Sequence, residues 1–201
     1  QQYTGAIEVA SLDIQDATDS VTLDGAVTTE TSVDINSLTG KLTQNAKVTA
    51  GTSLDYDAVT IGINESIDTG TTVDIDTSGN TTTIAEAGDI TAGGAVTFGA
   101  DKSGTLKTAA NIKTSDDDVT FTNQVTLSGG DAKVLIDTTG TTSGDILFKS
   151  EVLTGGQAFT LDAGESGDIT ADKSITGGGA MTVTDGAVQQ YTGAIEVASL
   201  D

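Results

Sequence analysis

The side chains able to do chemistry in this chain are nearly all carboxylates: thirty Asp plus Glu stand against eight Lys, for a net charge of −22, and there is no His, Cys or Arg. Those absences remove the imidazole base, the thiolate nucleophile and the usual zinc or copper donors, leaving carboxylate, Lys, Tyr and hydroxyl groups. The carboxylates are patterned. Asp34, Asp55 and Asp74 each sit between two apolar residues (Val33 and Ile35, Leu54 and Tyr56, Val73 and Ile75), and Asn36, Asp57 and Asp76 follow two positions later. Strands stacked in register would line these up as two adjacent columns of oxygen donors about 4.8 Å apart. Carboxylates that close repel, and a hard cation accepting about six to eight oxygens relieves the repulsion. The expectation is that exposed Asp is solvated, screened and useful at turns, with no cofactor held; the alternative is calcium bound by Asp34, Asp55, Asp57, Asp74 and Asp76. Asp116, Asp117 and Asp118 form the densest charged run, expected at a solvated corner with cation binding as the alternative.

Other functions fit the composition poorly. Phosphate recognition needs clustered Lys or Arg, so nucleic acid is not an expected partner, and the same charge repels anionic lipid. No apolar stretch is long enough to span a membrane as a helix. Thr22, Thr97, Thr120, Thr160 and Thr182 would form a row of hydroxyls of the ice-binding kind, but Asp interrupts the row in three successive phrases. No catalytic constellation is present, and the chain is not expected to be an enzyme. Polysaccharide-cleaving parallel β-helices neutralise acidic sugars with basic residues and pack them on aromatics, and here Arg and Trp are both missing.

The elements that must carry these side chains are short strands. Val, Ile, Leu and thirty-seven Thr alternate in brief runs broken by Gly, Asp, Asn and Ser, and there is no Pro. That is strand-and-turn grammar, with no sustained three-four apolar spacing for a helix. Two repeats organise it. Residues 1–13 read QQYTGAIEVASLD, and residues 189–201 read the same, an offset of 188. Strict self-similarity marks a tandem array, so residues 1–188 are expected to be one unit of a continuous solenoid and 189–201 the start of the next.

Within the unit a shorter phrase recurs nine times: one apolar anchor, then two more spaced two apart. It runs from Ile14 with Val21 and Leu23 through Val27 with Val33 and Ile35, Val48 with Leu54 and Tyr56, Ile67 with Val73 and Ile75, Ile90 with Val96 and Phe98, Ile112 with Val119 and Phe121, Leu127 with Val134 and Ile136, and Leu153 with Phe159 and Leu161, to Ile175 with Met181 and Val183. Period-two spacing points both later anchors into one core. Nine phrases per unit give about 21 residues each, the size of one coil of a β-solenoid, and an advance of roughly 43 Å per unit. The expected fold is all-β, a right-handed parallel β-helix with about nine coils per unit. Gly51, Gly70, Gly93, Gly156 and Gly178 stand three residues after a first anchor, where corners of positive φ are expected.

Three stretches carry a resemblance: GDITAGGAVTFGAD (88–101), GDILFKSEVLTGGQAFTLDAGESGDIT (144–170) and ITGGGAMTVTDGAV (175–188). They are similar to the haemagglutination-type repeats of filamentous haemagglutinin-like secreted giants. The resemblance implies a right-handed parallel β-helix, export to the cell surface or medium, and a role as filament or adhesin stalk. It transfers no functional residue, because the shared positions are core anchors and corner glycines. The expected function is a structural segment of an extracellular filament whose partner is itself, by axial continuation and lateral contact. The alternative is the stalk or binding repeat of a giant calcium-dependent surface adhesin.

Overall fold

The chain winds as a three-sided β-solenoid in a computed structural model that describes residues 1–15, 19–99, 103–129 and 133–201. Among the described residues every regular element is a strand, and all of the pairing between strands is parallel. The strands form a 10-stranded sheet and a 17-stranded sheet. The 10-stranded sheet is one face, here face A, which opens with Ile7–Val9 and closes with Ser199–Leu200. The 17-stranded sheet folds round a corner into faces B and C, because Val33–Gln44 and Leu54–Ile63 each run across both. Face B starts at Leu12–Ile14 and face C at Gln2–Tyr3. The chain visits the faces in the order C, A, B, and then C again one coil on.

Columns of inward side chains from all three faces make the core. Face B carries two: Val33, Leu54, Val73, Val96, Val119, Ile146 and Ile169 form one, and Ile14, Ile35, Tyr56, Ile75, Phe98, Phe121, Phe148, Ala171 and Tyr191 the other, each the register partner of the next. The middle of the second is an aromatic stack: the rings of Phe98 and Phe121 lie 5.3 Å apart and those of Phe121 and Phe148 4.7 Å apart, nearly parallel. On face A, Val27, Val48, Ile67, Ile90, Ile112 and Ile136 succeed one another. On face C, Val125, Val152 and Ile175 continue a column that includes Val21, Leu42 and Ile61. Each fully buried side chain of this size contributes about 1.5–3 kcal/mol, which no single coil could collect alone. A polar pair is sealed inside: Tyr56 donates to Gln44 Oε1 at 3.2 Å, and Gln44 Nε2 donates to the Glu65 carbonyl at 2.9 Å. Burial pushes the Tyr56 phenol up from its ordinary value.

Side-chain ladders run up the corners. Asn45 Nδ2 donates to Asp24 at 2.8 Å and Asn64 Nδ2 donates to Asn45 Oδ1 at 2.7 Å. At another corner Asp118 accepts the backbone N–H of Asp145, Asp145 that of Asp168, and Asp168 that of Val188. Each rung thus satisfies a turn donor of the next rung with a short polar side chain.

The structure bears out the reading of about nine turns per unit and sharpens or corrects four details. Three sides per coil and 26 sides between Gln2–Tyr3 and Gln189–Tyr191 make the 188-residue offset eight turns and two-thirds, a refinement of nine. The nine phrases do not all fall on the same faces. From Val27 to Phe121 the first anchor is on face A and the pair on face B, whereas Leu127 belongs to face C with its pair Val134 and Ile136 on face A. Leu153 is only partly buried: it pairs with the outward Thr126, and Val152 beside it is the core residue.

The fourth correction concerns glycines. Gly156 and Gly178 have positive φ, as corners of that kind require. Gly51, Gly70 and Gly93 do not. A Cβ there would lie 1.9 Å from the Glu30 carbonyl oxygen, 2.0 Å from that of Gly51 and 2.1 Å from that of Gly70, so they are glycine because successive rungs touch.

Candidate functional site

The carboxylates singled out by spacing do share one surface. Asp34, Asp55 and Asp74 are successive register partners on the outside of face B, and Asp13 joins them one rung earlier. Asn36, Asp57 and Asp76 form the parallel column two residues on. Asp13 carries the same signal as the others, an Asp between Leu12 and Ile14, masked in sequence because Ile14 also fits the start of the next phrase. Beyond Asp74 the ladder turns neutral, passing through Thr97 and Thr120 to Leu147.

Stacking leaves an electrostatic mark. Asp34 is held above the ordinary carboxylate value by burial and then by the charge of Asp13. Asp55 is raised by burial and by Asp34, Asp76 and Asp57. Asp76 is 7% exposed, and the side-chain oxygen of Asn36 is buried without a hydrogen bond. Among the described residues no group of three or more Asp or Glu is arranged to hold a metal ion. The geometry shows carboxylates stacked rung on rung along one face.

The run at 116–118 works on the backbone. Asp116, at φ 69°, accepts the N–H groups of Thr142 at 2.5 Å and Ser143 at 3.1 Å and the Thr141 hydroxyl at 2.8 Å, which hold its carboxyl below the usual range. It pins the excursion at 138–145 to the rung beneath. Thr114 donates to the Asp117 carbonyl, and Asp118 begins the corner ladder described above. Face A carries the balancing pairs, Lys47 with Asp68 at 2.5 Å and Lys113 with Asp137 at 2.7 Å. At Asp137 burial opposes the charge, and Lys113 and Thr139 outweigh it, leaving the carboxyl low.

The threonines do not form one row. Thr97 and Thr120 neighbour each other on face B and Thr160 and Thr182 on face A, while Thr22 is on face C.

The two ends differ from the rest in one respect: the exposed large apolar residues among those described are Val9, Val188 and Leu200, all in or beside the duplicated segments. The segments keep the same local structure. Tyr3 donates to Gln1 Oε1 at 2.6 Å and Tyr191 to Gln189 Oε1 at 3.3 Å. Tyr3, Ile7 and Leu12 pack against the core in the first copy, and Tyr191 and Ile195 in the second. Burial raises the Tyr191 phenol. No family model, curated protein or solved structure matches the chain.

Proposed function

We propose that this chain is a repeat segment of an extracellular β-solenoid filament of the filamentous haemagglutinin type, and that its work is mechanical. The observation that carries the proposal is the duplicated segment: the same thirteen residues are seated as ordinary coil at both ends of one uninterrupted core, with the same tyrosine–glutamine contact. A solenoid whose last coil has the sequence of its first is suited to extension by more of itself. Parallel backbone pairing along the whole axis gives stiffness, and the unpaired edge of each terminal coil is the surface on which the next rung stacks.

Surface chemistry supports the same reading. Excess Asp keeps the sides soluble and mutually repulsive, which favours growth along the axis over lateral clumping. The haemagglutination-type phrasing supports export to the cell surface or medium.

Electron microscopy and fibre diffraction of the assembled material test the proposal. Rods with a meridional spacing of about 4.8 Å are expected, with each unit adding about 42 Å of length. Separated beads of domain size would overturn it.

A further inference from the structure

The duplicated segment does not come back to the face it left. Gln2–Tyr3 lies on face C, paired with Thr22 and Leu23, whereas Gln189–Tyr191 lies on face B, where Gln190 pairs with Thr170 and Tyr191 with Ala171. The rest of the segment shifts in step. Ile7 and Glu8 are on face A and their copies Ile195 and Glu196 on face C; Leu12 is on face B and its copy Leu200 on face A. The 26 sides traversed are one short of nine full turns of three.

Resting on the filament reading, we propose that successive 188-residue units follow one another along the axis with a rotation of one face, so that the surface pattern returns only after three units and 26 coils. The next unit is the partner that the terminal coil fits, and it arrives turned by a third of a revolution.

The corners make this possible. From Tyr3 to Ile7 the chain turns from face C to face A in four residues, the step also taken from Leu23 to Val27, Gln44 to Val48 and Ile63 to Ile67. From Tyr191 to Ile195 it turns from face B to face C, and that corner is also four residues from Phe121 to Val125, Phe148 to Val152 and Ala171 to Ile175. Corner length therefore does not oblige the segment to choose one of the two faces. The inward-facing residues are small enough in number and plain enough in shape to serve on either.

Unshared end-to-end stacking fits less well. If Ile195–Glu196 of one copy paired with Gln2–Tyr3 of the next, and Ser199–Leu200 with Ile7–Val9, face B would lack a strand between Gln189–Tyr191 and the incoming Leu12–Ile14. A segment that serves both as the end of one unit and the start of the next leaves no such gap. The rotation also carries the acidic ladder from face B in one unit to face A in the next and face C in the one after.

Because the chain has no cysteine, paired cysteines report the faces directly. Neighbouring parallel strands bring Cα atoms within disulfide reach, and other faces do not. Under mild oxidation Thr176→Cys with Glu196→Cys, and Thr170→Cys with Gln190→Cys, are expected to cross-link, read by mass spectrometry without reductant. Cross-linking of Thr176→Cys with Gln190→Cys instead would seat the second copy on the face of the first and overturn the rotation. All four positions point outward, so folding is not at stake. Helical reconstruction of filaments supplies the second arm. A surface pattern repeating every three units is expected and one repeating every unit overturns the rotation, whereas beads in place of filaments would mean that the underlying reading had failed.

Discussion

The carbonyl oxygen of Gly51 lies 2.0 Å from the point where a Cβ on Gly70 would sit, closer than any methyl group tolerates. Gly70 in turn crowds Gly93 in the same way, at 2.1 Å. Backbone oxygen cannot swing aside as a long side chain can, so a methyl group here must lift one rung off another. Gly70→Ala is expected to cost about 1–3 kcal/mol, the range for overpacking a tight interior, measured as a lowered denaturation midpoint.

The duplicated glycine gives an internal control. A Cβ on Gly5 meets nothing within 4 Å, whereas one on Gly193 comes 2.3 Å from the Ser174 amide nitrogen. Gly193→Ala should destabilise the chain and Gly5→Ala leave its melting temperature close to wild type, although both substitutions fall in identical sequence. In a filament Gly5→Ala should become costly too, because there another rung lies beneath it.

The acidic ladder sets a pH dependence of definite sign. Asp34 and Asp55 titrate above their unfolded values, so they favour the folded state once protonated and oppose it as pH rises through their folded pKa. Asp116 and Asp137 titrate low and act oppositely, losing their contribution as pH falls through the lowered values. Stability should therefore rise modestly on acidification toward the ordinary carboxylate range and fall at still lower pH. Asp55→Asn should remove much of the rise and add about 0.2–1 kcal/mol at neutral pH, the scale of like-charge pairs facing each other across strands. Thermal melts across pH check both. Sodium and calcium salts at equal ionic strength should act alike on the wild type, by screening.

Phe121 sits between Phe98 and Phe148 in the stack. Phe121→Ala would open a cavity that neighbouring rungs cannot close, at about 3–5 kcal/mol. Since each coil rests on its neighbours, urea unfolding should also broaden as the two halves begin to melt separately.

Tyr56→Phe strips the donor from Gln44 Oε1 and leaves a buried acceptor unsatisfied, at about 1–3 kcal/mol. Adding Gln44→Leu should recover part of that loss, so the double mutant should be more stable than the two single losses added together. A double-mutant cycle in urea reads the coupling.

Much of this architecture was legible in the residues. Alternation at period two showed which side chains point inward, and it put Asp34, Asp55 and Asp74 on one outward surface before any register was known. It did not show which face a triplet occupies, because all three faces use the same apolar–polar–apolar pattern. For that reason Ile14, Leu127, Leu153 and Ile175 look in sequence like anchors to which they are not equivalent, and Leu153 looks like the core residue that Val152 is. The glycines at 51, 70 and 93 mark a contact between rungs some twenty residues apart in sequence, a contact that local turn rules do not contain. The polar ladder of Asp24, Asn45 and Asn64 left only a faint trace, short polar residues at coil spacing.

A period that falls one side short of whole turns has a consequence for heredity. Identical units are prone to gain and loss by recombination, and in a filament built as proposed each event would change more than reach. Whatever stands beyond the array would be swung by a third of a revolution with every unit added or deleted, so that arrays differing by three copies present their tips alike and those differing by one or two do not. The number of copies would then be read out modulo three as a direction in space.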